Sequence, residues 1–97
     1  MHVLGLAVDI RLPASHSLKD RRQVVRTVLD GARHRFAVST ADVGYQERWQ
    51  RARLGFAVVS GEPGHATEVI DAVERFVWSF PEIEVLDARR EWLEVEP

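Results

Sequence analysis

Leu4, Leu6, Val8, Ile10 and Leu12 alternate strictly with Gly5, Ala7, Asp9 and Arg11. A period of two places the first set on one face of a β-strand and the second on the other, and Pro13 ends the run because it has no amide to donate to a ladder. Ser15 or Ser17 then caps a helix, with Asp20 three residues after Ser17 in capping-box spacing. From Leu18 onward the apolar positions Val25, Val28, Leu29, Ala32 and Phe36 recur at helical spacing and form one core-facing stripe. Residues 37–45 and 53–60, rich in β-branched side chains, read as two more strands joined by the polar connection "QERWQR". "SGEPG" breaks the chain, and Ala66, Val69, Ile70, Val73, Phe76 and Val77 mark a second amphipathic helix, stopped by Pro81 before a last strand from about Ile83 to Val95.

The order β-α-β-β-α-β, with right-handed crossovers, predicts an α+β fold of the ferredoxin-like kind, two helices on one face of a four-stranded antiparallel sheet. Its 97 residues suit a single domain, 1–97. This architecture hosts unrelated activities, so function has to be argued from side chains.

Composition narrows the classes. No stretch approaches the eighteen consecutive apolar residues of a membrane span, and the start "MHVLGLAVDIRLP" has no basic leader and carries Asp9 and Arg11 inside its apolar run, unlike a secretory signal. The absence of cysteine excludes disulfides, thiolate chemistry and Cys-based zinc sites, so the expected location is cytoplasmic. Twelve arginines against one lysine, with no asparagine, point to a GC-rich or thermophilic source.

The net charge of −2 hides a division along the chain. Residues 11–53 carry ten basic side chains against four acidic, and residues 54–97 carry three against ten. Either the halves neutralise each other on folding, or the molecule presents a basic surface to a polyanion despite its unremarkable pI.

"SHSLKDRRQVVR", "RFAVSTADVG", "WQRARLGFAVVS" and the closing "EVLDARREWL" together resemble the short bacterial proteins called YlxP-like, domain of unknown function 503. The likeness covers nearly the whole chain. It implies a ferredoxin-like fold and, because genes of that family lie near those for translation and ribosome-maturation factors, work on RNA or the ribosome. The family has no assigned catalytic residues to carry over.

The residues themselves give no enzyme. His2, His16, His34 and His65 lack the i, i+3 or i, i+4 partners of a metal site, so no metal and no cofactor is expected. "SHS" with Asp20 has the letters of a hydrolase triad but no nucleophile elbow around them, and capping serines explain it. "GEPGHAT" lacks the Gly-Lys-Ser/Thr of a phosphate loop. An acylphosphatase would suit the fold and the basic first loop, yet it needs a strand asparagine that this chain does not contain.

Helix 1 carries the main anomaly. Acidic groups belong in a first turn, where the helix dipole is positive, but Lys19, Arg21 and Arg22 crowd it. At 100° per residue Lys19, Arg22, Arg26 and Arg33 share one 60° arc, with Asp30 beside them, while Arg21 falls on the apolar side and is expected to reach toward the first loop, where it and Arg22 could hold a phosphate with the helix N–H groups. Trp49, flanked by Arg48, Arg51 and Arg53, interleaves an aromatic with arginines, as in stacking plus phosphate contact. Lys19, Arg21, Arg22, Arg26, Arg33, Arg48, Trp49, Arg51 and Arg53 are therefore the candidate RNA-binding set. The competing reading makes them a salt-bridged face.

The exposed sheet face should show Gly5 and Ala7 beside Gly55 and Ala57, which cannot stack on bases as the aromatics of RNA-recognition motifs do. That smooth face suits close packing by a second copy of the chain, so a homodimer interface is expected there. Trp78 lies opposite the helix 2 stripe and should be exposed, and Trp92 should sit in the core or at its rim.

Overall fold

The computed structural model describes residues 1–96. Its elements run β1 His2–Arg11, α1 Leu18–Phe36, β2 Ser39–Gly44, β3 Arg51–Ser60, α2 Pro63–Trp78 and β4 Glu84–Glu94. The strands form one antiparallel sheet in the order β2-β3-β1-β4. Both helices cover one face, as the alternation of β1 requires. The predicted fold is the observed one.

The layer between helices and sheet is apolar. Leu4, Leu6, Val8, Ile10, Leu54 and Phe56 from the central strands meet Val25, Val28, Leu29 and Ala32 of α1 and Ile70, Val73 and Val77 of α2, all buried. Burying one such Leu or Ile is worth roughly 1.5–3 kcal/mol, against about 0–1 kcal/mol for an exposed ion pair. Core packing therefore carries the fold, and surface arginines are not needed for it. The two helices meet at Gly31, where a Cβ would lie 2.8 Å from the Phe76 ring, itself packed edge-on against Phe36 and Phe80.

Ends differ from expectation by local chemistry. Helix α1 closes at Ala37 in a left-handed conformation (φ 54°), donating its amide to the Arg33 carbonyl, so β2 starts at Ser39 instead of 37. Strand β3 starts at Arg51 rather than 53, because Arg51 pairs with Arg11 across the ladder. Trp92 lies at the rim, half-exposed, and Trp78 is 60 % exposed.

On the open sheet face the ladder registers set up rows across the strands. Val59, Val3 and Leu93 form an apolar row at one end, Ala57 pairs with Gly5, Gly55 with Ala7, and Arg53 with Asp9 toward the other end. The four small residues floor a trough of about 610 Å³, bordered by Val43 on one side and Arg89 and Glu91 on the other.

A candidate nucleic-acid interface at the basic end

The first turn of α1 is capped by its own side chains, although the reciprocal bond of Asp20 goes to the amide before the Ser17 cap and not to that of the cap itself. The Ser17 hydroxyl accepts from the Asp20 amide at 3.0 Å, and the Asp20 carboxylate accepts from the His16 amide at 3.0 Å. Asp20 thereby complements the helix dipole from within the chain. The expected phosphate seat is corrected in part: of the helix N–H groups, that of Asp20 is taken by Ser17.

Arg21 is corrected too. It does lie on the apolar side, but it turns away from the first loop and runs under the sheet edge, 4 % exposed. Its guanidinium grips Asp42 of β2 through two hydrogen bonds of 2.6 and 3.1 Å and donates to the carbonyls of Arg51 (2.8 Å) and Gly44 (3.1 Å). With these four hydrogen bonds made inside the protein, Arg21 is a strut and has no face left for RNA.

Two more candidates are committed to acids. Arg53 forms a two-pronged pair with Asp9 (2.6 and 3.1 Å) on the open sheet face. The hydrogen bonds from Arg53 hold the Asp9 carboxyl below the usual carboxylate range, against the opposing effect of its burial, with Arg51 and Arg89 adding attraction. Arg33 pairs with Asp30 at 2.7 Å, one turn back on α1. Both are removed from the free basic set.

Lys19, Arg22 and Arg26 remain exposed, with no acidic partner within 4.0 Å among the described residues. Arg22 and Arg26 line a groove of about 410 Å³ between α1 and β2, together with Asp30, Asp42 and Gln46. The two charge halves do not neutralise each other. Among the described residues one ion pair crosses between them, Arg11 with Glu84 at 3.7 Å, while Arg90 is held by Asp71 and Glu74 within the acidic half. Burial alone would lower the affinity of Arg90 for its proton, and those two carboxylates more than offset it.

The connection between β2 and β3 continues the basic surface. It is pinned to the β1–α1 loop, since the Gln50 amide side chain donates to the carbonyls of Pro13 and Ser15 and the Gln50 carbonyl accepts from Leu12. A register shift between Asp42 and Gly44 and a left-handed Tyr45 (φ 59°) fold the chain back. Gly44 allows this close approach, because a Cβ there would sit 2.9 Å from that of Arg53. The Tyr45 ring consequently carries Arg51, Arg53 and Arg48 at 4.4, 5.3 and 6.0 Å from its centroid. Trp49 stands 55 % exposed between Arg48 and Arg51. Sequence reasoning missed Tyr45; its one signal is the nearby run of arginines, which does not reveal a left-handed backbone.

Of the candidate set, Lys19, Arg22, Arg26, Arg48 and Trp49 are thus exposed, the first three along α1 and the last two on the connection pinned to the loop before it, with Arg51 half-buried on Tyr45. The structure sets Gly5, Ala7, Gly55 and Ala57 apart on the open sheet. No helix among the described residues is long and apolar enough to cross a membrane.

Residues 3–90 match the family described as protein of unknown function DUF503. A relative from Bacillus subtilis strain 168, the uncharacterized protein YlxP, is 40 % identical over 76 residues, covering 78 % of this chain and 83 % of the relative. With that breadth of match, on the fold just described, the chain belongs to the DUF503 family.

Proposed function

We propose that this chain is a non-enzymatic cytoplasmic protein that binds RNA or the ribosome through the exposed edge of α1 and the connection between β2 and β3. The observation that carries this reading is the set Lys19, Arg22 and Arg26, which lines one edge of α1 without an acidic partner among the described residues, although acids abound elsewhere in the chain. A row of unpaired cations costs electrostatic self-repulsion, which a polyanion removes. Ultraviolet crosslinking of the tagged chain in cells, with sequencing of attached RNA, tests it. Enrichment of ribosomal RNA is the expected result. Recovery of protein alone would overturn it.

A second reading, self-association across the open sheet, is favoured by the row Val3, Val59 and Leu93 next to the bare trough over Gly5, Ala7, Gly55 and Ala57. The apolar row of one copy fits the small-residue floor of another, the self-complementary pattern a two-fold dimer needs.

A further inference from the structure

Resting on the RNA reading, we infer that the ligand is an unpaired strand, one of whose bases lies flat on Trp49 while an adjoining phosphate is held by Arg48 and Arg51. Three observations point to this. Arg48 and Arg51 have no carboxylate within 4.0 Å among the described residues, yet both guanidiniums converge on the Tyr45 ring with Arg53, and only Arg53 has an acid of its own. Such a cluster of like charges is discharged by an anion from outside. The Arg51 Nε, moreover, is buried without a hydrogen-bond partner, and its guanidinium lies over the Tyr45 ring. Finally, Trp49 stands exposed on a loop tied down at Gln50 and Gly44, next in sequence to Arg48 and two residues before Arg51.

A duplex presents phosphates but keeps its base faces stacked on one another, so it gains nothing from an exposed indole. An unpaired strand gains both phosphate contact and stacking, and base-on-aromatic stacking tolerates any base. Tyr45 acts here as a positioning residue: its left-handed backbone aims the ring that spaces the arginines.

The test uses the full chain with Trp78→Phe and Trp92→Phe, both exposed positions, leaving Trp49 as the sole indole. A single-stranded oligoadenylate and an RNA hairpin stem of equal phosphate count are titrated in the same buffer. The oligoadenylate is expected to quench Trp49 fluorescence and to bind the more tightly. Trp49→Ala should weaken that binding roughly tenfold or more, Trp49→Tyr should restore most of it, and hairpin affinity and thermal stability should be unchanged. Equal binding of the hairpin, with Trp49 unquenched, overturns the single-strand inference while leaving RNA binding intact. Failure of both RNAs to bind overturns the RNA reading as well.

Discussion

Arg21 and Asp42 face each other edge-on, two N–H groups to two oxygens at 2.6 and 3.1 Å, and this pair ties α1 to β2. The same guanidinium reaches the carbonyls of Gly44 and Arg51, the residues on either side of the connection that carries Trp49. Arg21 therefore ties helix α1 to both ends of that connection. Removing the arginine leaves a carboxylate and two carbonyls with their partner gone.

Arg21→Met is expected to lower stability by about 3 kcal/mol, the lower end of what breaking a buried ion pair costs, because Asp42 is partly open to water. Urea melts at neutral pH measure it. A loss below about 1 kcal/mol would mean that the pair contributes no more than a surface one.

Asp9 supplies the pH dependence. Its carboxyl is held below the usual range by Arg53, so the stability it adds is present above the unfolded carboxylate value of about 3.9 and is lost as pH falls through the lower value of the folded state. Asp9→Asn should melt at a lower temperature than wild type at pH 7, with the gap closing as pH drops below about 4. A gap that persists in acid would show that the substitution acts through packing instead.

Ala57→Trp probes the open face. The side chain at this position points away from the helices, so a tryptophan fills the trough without entering the core. Sedimentation is expected to give a dimer for the wild type and a monomer for the variant, with the helical circular dichroism retained. A wild type that stays monomeric at high concentration removes the dimer.

The apolar pattern makes the fold legible because each element obeys its own period: Leu4 to Leu12 at two, Val25 to Phe36 at 3.6. The small-residue face follows from the same alternation. Side chains whose partners lie far along the chain are not legible in the same way. The helical period puts Arg21 on the correct side of α1, but Asp42 comes 21 residues later and meets it only through the β2–β3 register. Arg53 looks free until the ladder sets it opposite Asp9. Tyr45 cannot be placed from the sequence at all, since nothing in a tyrosine announces a positive φ.

The central claim, that the unpaired cations of α1 serve phosphates, is tested most directly by titrating a structured ribosomal RNA fragment with the wild type and with Arg22→Glu/Arg26→Glu over a range of salt concentrations, beside thermal melts. Wild-type affinity should fall linearly in log–log with salt, by about 0.7 to 0.9 per phosphate contacted. The double variant should bind far more weakly, with a slope reduced by about 1.5. It should melt no lower than the wild type, because both positions face solvent and an acidic side chain near the start of α1 suits its dipole. Absent or salt-insensitive binding by the wild type, or a double variant that loses stability while RNA binding is unchanged, would contradict the account and leave these side chains as structural.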